Sequence, residues 1–319
     1  MSYSNTLFSS ARLGRATGLL AFVLCLTAAL SAKSSQFDIR IVVDGLDKPT
    51  AIAAGSNDIL YFSEVPTPGV FGTDGGMNTV KRLKLSNRGI AMISEGEPYP
   101  VNIAVDDRKN VYWTCMTAGV ILKYNQKYGK SFFLPADPMA EDVEFLMSPN
   151  GITVDTNGDV LFTELPDPGV MGANMVSVSD GYNISLISGH EPAPTDIVIA
   201  RDGTAYWTCA TAGVIVKRTP AGVISVLKDG LENPTGIAID YLGRKLYFTE
   251  LPTPGVSGAE GGTNRVVELN LRTMEMCNVS VGFPLPADVT VTPQGKVYWT
   301  CTKAGVIACA TPLYLLGGM

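Results

Sequence analysis

The side chains in this sequence that could do chemistry are acids and amides held at fixed distances from a recurring proline. Pro100-Val-Asn102, Pro194-Thr-Asp196 and Pro286-Ala-Asp288 each place a polar group two residues after the proline, where the intervening copies of the pattern carry Ala51, Gly151 and Gly236. A second set, Glu64, Glu164 and Glu250, ends the runs Tyr61-Phe-Ser-Glu, Leu161-Phe-Thr-Glu and Tyr247-Phe-Thr-Glu. Carboxylates and an amide that converge can hold a cation, anchor an amine or pass a proton; they can equally accept backbone N–H groups at strand ends. For Asp196 and Asp288 both roles are open at this stage. For the three glutamates the capping role is favoured.

Other catalytic constellations are missing. His190 is the single histidine and lies in the loop Ser188-Gly-His-Glu-Pro, a setting expected to leave it solvated. There is no Gly-x-Ser-x-Gly elbow and no Cys/His cluster with zinc-ligand spacing, so no catalytic residue and no metal ligand is assigned. The loops Gly72-Thr-Asp-Gly-Gly and Gly258-Ala-Glu-Gly-Gly carry an acid each and do not lead from a strand into a helix, which excludes a phosphate cradle. Cys115, Cys209 and Cys301 end the runs Tyr112-Trp-Thr-Cys, Tyr206-Trp-Thr-Cys and Tyr298-Trp-Thr-Cys.

The elements that position these residues follow from the repeat itself. Proline, two residues, an alternating apolar run, a Gly/Asp/Asn turn and an aromatic strand recur from Pro49, Pro100, Pro149, Pro194, Pro234 and Pro286, at spacings of 40 to 52 residues, close to the period of a propeller blade. Turns such as Asp155-Thr-Asn-Gly-Asp join two short β-rich runs and read as hairpins. With two further strands per copy and no helical period, the fold class is all-β: a six-bladed β-propeller. Its blades alternate in two types, Glu-ended and Cys-ended. The last copy lacks a fourth strand, and Ile41-Val-Val-Asp-Gly-Leu-Asp-Lys-Pro-Thr matches Val226-Leu-Lys-Asp-Gly-Leu-Glu-Asn-Pro-Thr. Residues Phe37 to Val43 are therefore expected to complete the sixth blade. On that ring the thiols of Cys115, Cys209 and Cys301 are over 10 Å apart by any plausible radius, too far for a disulfide or a shared metal. They are expected to be small buried hydrophobes. Cys277 and Cys309, assigned to outer strands of adjacent blades, are the one pair left for a bridge.

Composition bounds the rest. The 319 residues are 46% hydrophobic and 17% charged, with a net charge of -6 and no basic run, which argues against nucleic acid or an anionic membrane as partner. Arg12 and Arg15 precede an uncharged stretch from Gly18 to Leu30, shorter than a bilayer span, followed by small residues. Residues 1–32 are read as a signal peptide and 33–319 as the propeller, giving a secreted protein or one in the lumen of the secretory pathway. Asn183-Ile-Ser and Asn278-Val-Ser are glycosylation sequons.

The paired strand ends resemble those of the NHL-repeat and YWTD-type six-bladed propellers and, more distantly, the gluconolactonase (senescence-marker) and strictosidine-synthase-like group. The resemblance covers the whole mature chain and speaks for the fold; that fold hosts receptors, scaffolds and enzymes. Where YWTD propellers carry Asp, this chain has Glu or Cys. Gluconolactonase-like enzymes hold a divalent metal at the channel mouth through Glu, Asn and Asp, and Ser148-Pro-Asn150-Gly151 is similar to their Asn-Gly turn. The other copies put Thr50, Val101, Thr195, Thr235 and Ala287 at the position of Asn150. The functional expectation is a monomeric binding propeller, without cofactor, that takes a small molecule or peptide at the mouth. The candidate ligand residues are Asn102, Asn150, Asp196, Asp288, Glu64, Glu164 and Glu250, with the loops Pro66 to Gly76 and Pro252 to Gly262 closing around the ligand. The alternative is a gluconolactonase-like hydrolase, which would require the metal. The leader pattern makes one direct prediction: N-terminal sequencing of the exported protein should begin between Ala32 and Ser35. A mature chain that still starts at Met1 would refute it.

Overall fold

In the computed structural model, which describes residues 36–66, 77–166, 174–252 and 264–316, the alternating runs form strands of five to seven residues. They pair into six four-stranded antiparallel sheets. The innermost strands are Pro49–Ala54, Pro100–Val105, Pro149–Val154, Pro194–Ile199, Pro234–Ile239 and Pro286–Val291. Each contacts the innermost strand before and after it, and the first contacts the last, so the sheets are blades around a central channel. The second strands, Ile59–Glu64, Val111–Cys115, Val160–Glu164, Ala205–Cys209, Lys245–Glu250 and Val297–Cys301, return to the face where the innermost strands begin. The only helical element among the described residues is the 3-10 turn Leu313–Leu315, and no helix is long and apolar enough to cross a membrane.

The core lies between blades. Phe62, Phe162 and Phe248 in the Glu-ended blades and Trp113, Trp207 and Trp299 in the Cys-ended blades are fully buried. A typical interface packs Ala51, Ala53 and Val80 of the first blade against Val111, Trp113 and Val120 of the second. Burying an aromatic of this size contributes on the order of 2–3 kcal/mol, so the six wedges are a large share of what holds the ring together.

The chain ends close the circle where the sequence places the missing strand. Phe37–Val43 runs antiparallel to Val306–Pro312 and forms the outer strand of the sixth blade. Phe37, 5% exposed, joins the core between the fifth and sixth blades. A second seam closes nearer the axis: Thr300 Oγ1 donates to Thr50 O at 2.7 Å, Thr302 Oγ1 to Pro49 O at 2.8 Å, and the Leu46 N–H to Gly305 O at 2.9 Å. All five described cysteines are free thiols. Cys309 stands on the third strand beneath Arg40, not on an outer strand, and Cys277 contacts Gln36 at 3.8 Å.

Deleting residues 37–43 should leave a three-stranded sixth blade with an open edge and cost several kcal/mol, a large fraction of the roughly 5–15 kcal/mol that stabilises a domain. Phe37→Ala should cost about 3 kcal/mol on its own. Thermal and urea unfolding test both, and a deletion variant that melts with the parent would show that the ring closes without this strand.

Candidate functional site

The polar residues two places after the prolines meet in the channel, and the local backbone explains why. Every innermost strand departs from regular pairing just after its proline. At that irregularity an N–H leaves the ladder for a hydroxyl on the second strand: Ala51 donates to Ser63, Gly151 to Thr163, Asp196 to Thr208, Gly236 to Thr249 and Asp288 to Thr300, at 2.8 to 3.3 Å. The next N–H turns toward the axis, and three side chains receive five such groups. Asn102 Oδ1 accepts from Ile103 at 2.7 Å. Asp196 accepts from Ile197 at 2.7 Å and from Ile237, in the following blade, at 2.8 Å. Asp288 accepts from Val289 at 2.7 Å and, across the ring seam, from Ile52 at 2.8 Å. Asn102 Nδ2 then reaches over to Asp196 Oδ1 at 2.8 Å.

Capping and convergence thus occur in the same residues. Gly151 and Gly236 are required where they stand, because a Cβ there would come within 2.5 Å of Asp196 Cα and 2.7 Å of Asp288 Cα. Asn102, Asp196 and Asp288 are 6%, 4% and 5% exposed. Burial pushes both carboxyls up, Asp288 to about 7, and the charge of Asp288 raises Asp196 further; the backbone N–H groups oppose the shift. Two buried carboxyls with raised pKa values stay partly protonated around neutral pH.

This polar trio lines two cavities at once. On one side lies a channel lumen of about 240 Å³ with walls such as Ile52, Ile103, Ile152, Ile197 and Ile237. On the other lies the mouth, about 250 Å³, where Asn150 joins the trio and Tyr99, Val101, Met116, Leu251 and Leu285 form an apolar wall. Among the described residues no Lys or Arg lines the mouth. The residue before each strand proline (Lys48, Tyr99, Ser148, Ala193, Asn233 and Leu285) has a φ of 50° to 57°, a left-handed conformation that costs a non-glycine residue about 1 kcal/mol or more. Each offers its carbonyl to the residue after the second strand, so all six rim corners are held alike.

The three glutamates point elsewhere. Glu64, Glu164 and Glu250 accept the N–H of Asp47, Met147 and Glu232 in the linkers that lead into their own blades, at 2.8 to 3.0 Å. Glu64 pairs with Lys81 and Glu250 with Arg265; Glu164 has no ion pair among the described residues, and burial raises its carboxyl. In the Cys-ended blades the carboxylate comes from the linker instead. Glu97 accepts from Trp113 Nε1 at 3.0 Å and Cys115 Sγ at 3.6 Å, and Glu191 from Trp207 Nε1 at 3.0 Å and Cys209 Sγ at 3.4 Å. These thiols are thus hydrogen-bonded as well as buried, and burial with the adjacent carboxylate raises them out of the nucleophilic range. Sequence reasoning assigned no role to Glu97, Glu191 or the six second-strand hydroxyls, although a Ser or Thr precedes the Glu or Cys in every copy.

Asn183 is exposed beside Asp180 in a turn, and Asn278 is exposed on the strand Met276–Val281. His190 is exposed, at a φ of 61°. Residues 1–32, read as a signal peptide, and the loops Pro66 to Gly76 and Pro252 to Gly262, their first prolines apart, lie outside the described residues.

No family model and no curated protein matches the chain. Solved structures do. A gluconolactonase from Xanthomonas campestris superposes with a TM-score of 0.66 at 14% identity, over 89% of this chain and 93% of that one. A streptogramin B lyase gives 0.59 at 16% identity over 87% and 98%, and a chain of a nidogen/laminin complex 0.55 at 18% identity over 72% and 78%. The likeness is one of fold. It agrees with the six-bladed propeller expected from the strand ends.

The gluconolactonase ligand set does not fit this mouth. Asn150 lines it, but the three glutamates are committed to the linkers. Among the described residues no three His, Cys, Asp or Glu side chains are placed to hold a metal.

The buried pair makes a signed prediction for stability. A carboxyl raised from 3.8 to about 7 by folding stabilises the native state fully below pH 4, and that contribution is lost as the pH climbs through 7. Between pH 5 and 8 the parent should lose roughly 2 kcal/mol more than Asp288→Asn, measured by urea unfolding. Parallel pH profiles would show that Asp288 is ionised throughout.

Proposed function

We propose that the protein is an exported binding propeller whose mouth takes a small amine, or the cationic side chain of a peptide, over Asp196 and Asp288. The observation that carries this reading is a pair of buried carboxyls facing a cavity whose wall, among the described residues, holds apolar side chains and no cation. The two carboxyls have N–H donors but no counter-charge among the described residues, and an ammonium group supplies that charge while its hydrocarbon body covers Tyr99, Met116 and Leu285. A cavity of about 250 Å³ suits a ligand of a few heavy atoms or one side chain, and it disfavours phosphates and polyanions. A second reading is a hydrolase of lactones or esters that works by proton transfer. It is favoured by the burial of Asp288 at the mouth, which pushes its carboxyl up to about 7, where a carboxyl can both give and take a proton.

One set of measurements separates the two. Butylamine, lysine amide and choline are titrated calorimetrically against the parent and Asp196→Asn/Asp288→Asn, with δ-gluconolactone hydrolysis followed in parallel. Binding should weaken at least tenfold in the double variant. In the parent it should tighten as the pH rises through 7, because the cation competes with protons on the raised carboxyls. Failure of all three amines to bind, or equal binding by the variant, overturns the amine site. Lactone turnover that is lost in Asp288→Asn selects the second reading.

A further inference from the structure

Far from the mouth, the turns of the fifth blade and the C-terminal 3-10 segment enclose a cavity of about 710 Å³. Its lining includes Arg244, Lys245 and Arg272, together with Asn270 and the phenol of Tyr314. Such a cluster is unexpected in a chain of net charge -6. Lys245 is neutralised by Glu268 at 2.7 Å. Arg244 and Arg272 are exposed and have no ion pair among the described residues.

Two guanidinium groups that share a cavity repel each other unless an anion lies between them, and a guanidinium fork is suited to bind carboxylate or phosphate oxygens in pairs. The framework holding them is firm. Asp240 Oδ1 accepts the N–H groups of both Arg244 and Lys245, the Leu271 N–H bonds Arg244 O at 2.9 Å, and Asn270 Oδ1 accepts from Arg272 and Thr273. The turns that carry the arginines are thus fixed in place while the charged heads stay open to solvent. The volume is that of a metabolite-sized ligand rather than of one inorganic ion.

We infer that this cavity is a binding site for a small polyanion bearing carboxylate or phosphate groups, held by Arg244 and Arg272 and flanked by Tyr314. It is independent of the mouth and opposite to it in charge preference. Citrate and inorganic phosphate, titrated calorimetrically at low ionic strength, are the probes. The parent should bind at least one of them, and Arg244→Gln/Arg272→Gln should bind it at least tenfold more weakly. Lys84→Gln/Lys127→Gln removes the same charge from exposed positions in the first two blades and should leave affinity within twofold. Citrate binding without phosphate binding would assign a carboxylate ligand, and the converse a phosphate ligand. Absence of binding by the parent, or equal weakening in the Lys84/Lys127 control, overturns the site, since the latter would reflect net charge alone. All four substituted side chains lie at the surface, so the variants are expected to melt with the parent, and the comparison remains one of binding.

Discussion

A propeller has no β-ladder between its blades, so something else must join each innermost strand to the next. Here part of the work falls to second-strand hydroxyls: those of Thr114, Thr208, Thr249 and Thr300 donate to a carbonyl of the next blade, while Ser63 and Thr163 accept an N–H of their own blade. Ser63, Thr114, Thr163, Thr208, Thr249 and Thr300 are all fully buried, one place before the end of each second strand. Thr208 shows the full device: its hydroxyl accepts the Asp196 N–H within its own blade and donates to Thr235 O in the next, at 2.5 Å. Thr300 repeats it across the seam where the ring closes, and Thr114 donates to Asn150 O at 2.6 Å. A hydroxyl is the smallest side chain that both accepts and donates, which is what a junction between a strand N–H and a neighbour's carbonyl demands. Because it takes one N–H out of the ladder, the strand is irregular there, and the next N–H is left facing the channel. The site at the axis is a consequence of how the ring is tied.

The alternation of blade types has the same logic one layer out. Each corner between blades holds a single carboxylate, supplied by the second strand in one type and by the linker in the other. When the linker supplies it, the second strand carries Trp, whose N–H needs an acceptor, and Cys, which is small enough to leave room. When the strand supplies it, the aromatic is Phe and asks for nothing. The sixth blade breaks the rule. In Ser280-Val-Gly-Phe283 the aligned Glu is replaced by Phe, which stacks edge-on against Trp299 at 5.3 Å. The indole N–H of Trp299 and the hydroxyl of Ser280 then lack a hydrogen-bond partner among the described residues. An aromatic contact contributes about 1 kcal/mol, while an unmet buried donor costs 1–3 kcal/mol, so this blade gives up some stability for an apolar corner next to the closing strand.

Much of this was legible in the sequence because propeller architecture is written in local patterns repeated at a fixed period. The blade count, the two blade types and the closing strand all follow from comparing one copy with another, and Phe37–Val43 emerges with the same bounds from pattern and structure. The site was legible only as a set of positions. That Asn102, Asp196 and Asp288 are exceptional could be read from their replacement by Ala or Gly in the other copies. That they bond to N–H groups of following blades could not, since Asp288 and Ile52 are 236 residues apart. The glutamates mislead for a similar reason: a strand end on the mouth face does not reveal that the side chain folds back toward its linker. The cationic cavity under the fifth blade gave no pattern at all, because Arg244, Arg272 and Tyr314 come from unrelated turns.

The threefold symmetry of the throat is broken at one residue, and the break gives the site its character. The three Cys-ended blades place a polar side chain at equivalent points, but only two of these are acids. A third carboxylate would add a third buried acidic group to a space where burial already raises two. Asn102 solves this with one bond in each direction: its oxygen accepts from Ile103, and its amide nitrogen donates to Asp196. One oxygen of Asp196 is thereby engaged twice, by Asn102 and by Ile197, whereas each oxygen of Asp288 meets a single N–H. Asp288 therefore keeps the freer lone pairs of the two carboxyls. The unspent acceptor capacity is concentrated on the side of the channel where the sixth blade meets the first, and a donor group entering the mouth meets it there.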